Sequence, residues 1–140
     1  MEWFRSLLQG RPAWVNAVMI FCGYMALLYV PWDLFVKPVE SDVEVWFGYM
    51  FTGWAAKVAA VPHWIVYAVF AYGLYHMRTW VWPWLAVYVA QIAVGMLVWS
   101  VVAIGGLGGW LSGLVTFAVF GSLASYIWSA RDRLAPPEVT

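Results

Sequence analysis

The chain has 140 residues, 65% of them hydrophobic and 10% charged, with a formal net charge of zero. Soluble domains carry charge on about a quarter of their residues, so this composition excludes a water-exposed fold and points to a bilayer. Without a basic run or net positive charge, nucleic-acid binding has no electrostatic footprint. The single cysteine, Cys22, rules out a disulfide framework or a cysteine-based zinc site.

Residues 1–12 open on an amphipathic pattern, with Trp3, Phe4, Leu7 and Leu8 opposite Glu2, Arg5 and Gln9. This predicts an interfacial segment, broken by Gly10, Arg11 and Pro12. The transmembrane domain is expected over 13–130. Its first span, 13–30, measures about 27 Å as a helix, close to the hydrocarbon thickness. No small-residue cleavage pattern follows it, so it reads as a retained helix. Pro31 is expected to end or kink it.

From Pro31 to Trp64 runs the one long interruption of the apolar sequence, with Asp33, Glu40, Asp42, Glu44, Lys37, Lys57 and His63. Lys37 to Glu44 reads as a polar loop. Residues 45–77 are too long for one ordinary span and too short for two. The preferred division is an interfacial helix over 43–60 and a second span over 62–77; the competing one is a single long, kinked, tilted helix. His76, Met77 and Arg78 mark a membrane exit. The third span, 80–104, opens on Trp80, Trp82 and Trp84 with Pro83 in its first turn. A glycine-rich turn leads to the fourth span, 107–128, and residues 131–140 form a tail.

Loop charges set the orientation. With four spans, Arg5, Arg11, Arg78, Arg131 and Arg133 share one side, and the other holds only Lys37 and Lys57. Both termini are therefore expected in the cytoplasm.

Several constellations bear on function. Gly105, Gly109, Gly113, Gly121 and Ser125 form a small-residue stripe at i+4 spacing, broken at Phe117, which lets helices approach closely in lipid. It serves either packing within the bundle or a homodimer or partner-subunit face. His63 and His76 lie thirteen residues apart, about 20 Å along a helix and on opposite faces, so they cannot ligate one haem. They read as interfacial histidines at the two ends of span 2. Glu40, Asp42 and Glu44 read as a solvated run rather than a hard-cation site. No nucleophilic triad, phosphate loop or zinc motif is present. No metal, cofactor or catalytic residue is expected.

Polar residues at membrane depth usually face the bundle interior. Asp33, Lys57, Asn16 and Gln91 are the candidates. Asn16 sits near a span end, where solvent reaches. Asp33, just beyond span 1, and Lys57 can form a partly buried ion pair. Tyr88, Gln91 and Gly95 share one helical face.

Asp33-Leu34 after the first span, Trp54-Ala55-Ala56-Lys57, Pro62 and Trp64 opening the second span, and Tyr88 with Gln91 in the third together resemble the EXPERA group of small membrane proteins. That group includes the sigma-2 receptor and the emopamil-binding sterol isomerase. The resemblance covers roughly residues 15–100. It implies a helical bundle whose cavity binds sterols or cationic amphiphiles, with Asp33 as the acidic residue after span 1 and Tyr88 and Gln91 lining the cavity. Two positions depart from it. Val61 stands where the sigma-2 receptor has an acidic residue, and Trp54 where the isomerase has one. Isomerisation needs a positioned acid and base, so the departures favour binding over catalysis.

The sequence thus predicts an all-α, four-span membrane bundle with an interfacial helix between spans 1 and 2. Its leading function is non-catalytic binding of a lipid, sterol-like or cationic amphiphilic molecule in a Trp/Tyr-lined cavity. The ligand residues expected are Asp33, Trp54, Lys57, Tyr88, Gln91 and Trp99. The alternatives are an assembly subunit of a larger membrane complex and a membrane enzyme using Asp33, Lys57 and His63.

Overall fold

The computed structural model describes residues 10–134, with side chains through Arg131. Most of the interfacial segment expected over 1–12, and most of the tail over 131–140, lie outside the described residues. Among the described residues, four helices are long and apolar enough to cross a membrane: Ala13–Phe35, Trp54–Tyr75, Val81–Ile104 and Gly106–Arg131. The protein is a multi-pass, four-helix membrane bundle.

Span 1 comprises α1 (Ala13–Tyr24), a π-helical turn (Met25–Tyr29) and α2 (Val30–Phe35). Pro31 does not end it. Within the π turn the Val30 amide bonds the Met25 carbonyl, and Pro31 has no N–H to offer. The Ala26 carbonyl thereby loses its backbone donor, and the Trp64 indole N–H, 2.6 Å away, replaces it. The wider turn lets the helix run on past the proline and carries Asp33 inside the span rather than beyond it.

The interfacial helix expected over 43–60 is not formed. After a single 3₁₀ turn (Val39–Ser41), β1 (Val43–Trp46) and β2 (Tyr49–Thr52) make an antiparallel hairpin. Phe47 and Gly48 link them with φ of 48° and 84°, the primed turn whose twist suits a two-residue hairpin. Span 2, α3 (Trp54–Tyr75), then runs unbroken through Pro62. It begins eight residues earlier than the sequence suggests, which moves His63 from the end of the helix to its middle.

Span 3 is α4 (Val81–Trp99) with a π turn (Ser100–Ile104), closed by Gly105 at φ 72°. Span 4 is α5 (Gly106–Leu134). Spans 3 and 4 pack along their lengths. Spans 2 and 3 meet closely only at their connecting turn, where a Cβ on Gly73 would lie 2.9 Å from the Trp80 ring. From there they are bridged by side chains, then separated by the hairpin.

The apolar core gathers Val15, Leu74, Val81, Trp82, Leu85 and Ile127, all fully or almost fully buried, at the Arg78 end. Trp14 seals it, its ring centroid 6.0 Å from that of Trp82 and 5.4 Å from that of Tyr126. At the same end Arg11 donates to the Tyr75 carbonyl at 2.6 Å and to Asn16 Oδ1 at 3.0 Å. It thus caps the C-terminus of α3, where a cation is favoured, and accounts for the buried Asn16.

Candidate functional site

The hairpin enters the bundle tip first. His63 lies nine residues into α3, about 14 Å from its start, and the Trp46 ring packs against it with centroids 3.9 Å apart and planes tilted by 44°. Irregular or sheet backbone is tolerated at such depth only where protein or a cavity satisfies its polar groups. Strand alternation provides for this by giving each neighbouring helix one face. Toward span 2, Trp46 donates its indole N–H to the Ala59 carbonyl at 2.9 Å, and Glu44 Oε2 lies 3.6 Å from His63 Nε2. Toward span 3, Val45 packs on Gly95, and Gln91 Nε2 donates to the Val45 carbonyl at 3.2 Å. Gln91 thus satisfies an edge carbonyl of the sheet. Behind this wall His63 Nδ1 is hydrogen-bonded to the Tyr88 hydroxyl, and the rings of Tyr67 and Phe70 close around Tyr88.

The base of the hairpin is anchored by buried charge. Lys37 Nζ bridges Asp33 Oδ1 at 2.8 Å and Asp42 Oδ1 at 2.5 Å. Lys57 Nζ lies 3.1 Å from Asp42 Oδ2 and donates to the backbone carbonyls of Asp33 and Lys37. The Asp33–Lys57 pair expected from sequence is therefore re-partnered: both belong to one cluster, but the Asp33 carboxylate goes to Lys37. Asp42, expected in a solvated loop, is buried. Burial works against both charges in the Lys37–Asp42 contact, and the hydrogen bonds overcome it. Those from Lys37 and Lys57 hold the Asp42 carboxyl below its usual range, and those to Asp33 and Asp42 hold the Lys37 ammonium above its own. Glu44 has no such partner. Burial first, and then the negative charges of Asp33 and Asp42, push its carboxyl up to about 7.

Between span 1, the hairpin and span 3 a cleft of about 500 Å³ opens beside this wall. Met25, Ile92, Met96 and Trp99 make its apolar side, and Tyr29, Lys37, Ser41, Glu44, His63 and Gln91 bring its polar groups. Its size and its mostly apolar lining with a few converging polar groups are those of a small-molecule site. Among the described residues no three His, Cys, Asp or Glu side chains stand together as a metal site.

The residues singled out in the sequence divide accordingly. Gln91 and Trp99 line the cleft, and Tyr88 stands behind it, joined to His63. Asp33 and Lys57 hold the hairpin base, and Trp54 is exposed on the outer face of span 2 beside Phe51 and Val58. His63, expected at an interface, is buried at mid-span, whereas His76 is exposed at the turn. Glu44 and Trp46 were not legible as site residues. The available signal was the β-branched and aromatic content of 43–52, since in a strand Glu44 and Trp46 fall on one face. In the glycine stripe, a Cβ on Gly109 would come within 2.5 Å of the Ser100 carbonyl oxygen, and one on Gly113 within 2.9 Å of Leu97. Gly105 and Gly121 have open space, and Ser125 is exposed. The chain matches no family model, no curated protein and no solved structure, and stands as a small, largely helical four-span membrane protein.

Proposed function

We propose that the protein binds, without transforming it, a lipid-like amphiphile in the cleft beside the hairpin. The apolar body lies between spans 1 and 3 against Met25, Ile92, Met96 and Trp99, and the polar end meets Glu44, His63 and Gln91. The observation that carries this reading is the cleft itself, with apolar walls and one polar corner at membrane depth. A sterol-like or cationic ligand, and kinship with the EXPERA group, belong to the same proposal and rest on the sequence resemblance. Asp33 and Lys57 then serve by fixing the hairpin, and Tyr88 by fixing His63. The arginine asymmetry supports an orientation with the Arg78 end in the cytoplasm. Reporter fusions in the Arg78 turn and near Glu40 should read on opposite sides, with the Arg78 fusion cytoplasmic.

The test is lipid analysis and native mass spectrometry of the purified protein beside Met96→Trp, which fills the cleft. Wild type should retain one defined lipid-like molecule, and the variant should lose it while melting unchanged. A wild type that carries only bulk lipid and co-purifies with a protein subunit would instead support the assembly role.

A further inference from the structure

We propose a second lipid site, distinct from the cleft: the groove between spans 2 and 3 holds one acyl chain of an anionic phospholipid, whose phosphate sits on Arg78 at its mouth. This site stands whether or not the cleft takes a ligand. Past the hairpin turn spans 2 and 3 stand apart, and a groove of about 410 Å³ runs between them. Ile65, Val66, Val69 and Phe70 of span 2 and Trp84 and Val87 of span 3 line it. Tyr88 and Gln91 back it, the Tyr88 hydroxyl bonded to His63 and the Gln91 amide N–H to the Val45 carbonyl. These walls suit a hydrocarbon chain and leave its head group outside.

The length of the groove selects the occupant. It runs from Trp80 to Gln91, about 16 Å along span 3, which is one leaflet of a hydrocarbon core about 30 Å thick. Phe47 of the hairpin turn closes the Gln91 end, where its neighbour Gly48 meets Val94 and Val98. A helix from a second copy would have to cross both leaflets and would run into the hairpin. It would also need small residues for close approach, and these walls are bulky. An acyl chain needs one leaflet only. The mouth lies where head groups lie: Trp80 and Trp84 are exposed there, at the level indoles favour. Arg78, two residues before Trp80, is exposed as well. No acidic residue occurs between Glu44 and Asp132, so spans 2 and 3 and their turn carry none. Arg11 is engaged by the Tyr75 carbonyl and Asn16, which leaves Arg78 to meet a phosphate. With no carboxylate on the turn to answer a choline, an anionic head is preferred over a zwitterionic one.

Delipidated protein in detergent is titrated with palmitoyl-oleoyl phosphatidylglycerol and with the phosphatidylcholine of the same chains, and binding is read by native mass spectrometry. Wild type should take one phosphatidylglycerol about fivefold more tightly than phosphatidylcholine, the worth of one basic residue beside anionic lipid. Arg78→Gln should bring phosphatidylglycerol down to the level of phosphatidylcholine, whose own affinity stays unchanged. Val87 is 47% exposed, so Val87→Trp puts its indole in the groove rather than the core. That variant should melt as wild type and lose one-to-one binding of both lipids, and Val69→Trp, which fills the groove from the facing wall, should agree. Met96→Trp, which fills the cleft, should keep both affinities, so the two sites fail separately. Equal affinity for the two lipids in wild type, a preference that survives Arg78→Gln, or one-to-one binding that survives both groove-filling variants would overturn the site. So would a dimer that Val87→Trp splits, since a second copy would then cover the groove.

Discussion

Spans 3 and 4 are joined the way two helices join in lipid, and spans 2 and 3 are not. Along the first seam Gly109 and Gly113 let backbones nearly touch, and no side chain need intervene. Along the second, only the turn end closes, and the rest is held open by two strands whose polar backbone must be answered at depth. One seam asks only for small residues. The other asks for Gln91 on an edge carbonyl, Trp46 on the Ala59 carbonyl and a four-residue ion cluster at the base. Polarity inside this bundle therefore follows from the hairpin's backbone, and the cleft lies where that polarity meets an apolar wall.

The contrast can be broken from either side. The largest effect should come from Lys57→Met, which leaves Lys37 as the one cation of the cluster for two buried carboxylates, Asp33 and Asp42. Removing one partner of a buried pair costs about 3–5 kcal/mol, so melting in detergent should fall steeply, and a fall no greater than that of a surface lysine variant would deny the cluster its anchoring role. Next is Gly109→Ala, whose methyl would collide with the Ser100 carbonyl. Overpacking of this kind costs about 1–3 kcal/mol, whereas Gly121→Ala, with open space, should be neutral or slightly stabilising by about 0.5–1 kcal/mol. Equal melting of the two would take the glycine seam out of the comparison.

Gln91→Leu should cost about 1–2 kcal/mol by leaving the Val45 carbonyl unanswered. Hydrogen exchange should locate that loss in the hairpin, and exchange raised evenly over all four spans would contradict it. The smallest effect is pH-dependent. The Glu44 carboxyl has its pKa raised from 4.5 to about 7 in the folded protein. Its contribution to stability is full below pH 4.5 and is lost as pH rises through 7. Wild type should therefore lose stability relative to Glu44→Gln over that window, on the order of 1 kcal/mol once solvent screening is allowed for. Parallel pH profiles would mean that Glu44 is not held in the polar corner.

What could be read from the sequence was whatever hydropathy and spacing determine directly. The four spans are long apolar runs, and the glycines at i+4 spacing do include the two that meet span 3. Spacing alone could not tell Gly109 from Gly121, because both lie on one stripe while only part of α5 has a neighbour there. The hairpin was hidden by its own composition. Val43 to Thr52 is rich in β-branched and aromatic residues, but only Glu44 interrupts its first strand, and it runs into an apolar stretch that a helix fits equally well. Phe47-Gly48 also lacks the Asn or Asp that usually marks a primed turn. At Pro31 the local rule was sound, yet the π turn and Trp64, thirty-three residues away, overrode it. The partners of Asp33 and Lys57 could not be assigned, since two lysines and two aspartates pair by position in space.

The hairpin also sets an order of assembly. Its edge carbonyl is answered by span 3, its indole by span 2, and its base by a residue of span 1. Two of these partners lie on spans 2 and 3, which follow the hairpin in the chain, so they are not in place while its own residues are being made. Strands with unanswered amides cannot rest in hydrocarbon, so residues 37–53 must wait at the water boundary until the later helices have been inserted. Biogenesis then ends with a docking step, in which a folded ribbon is drawn between two helices already in the bilayer.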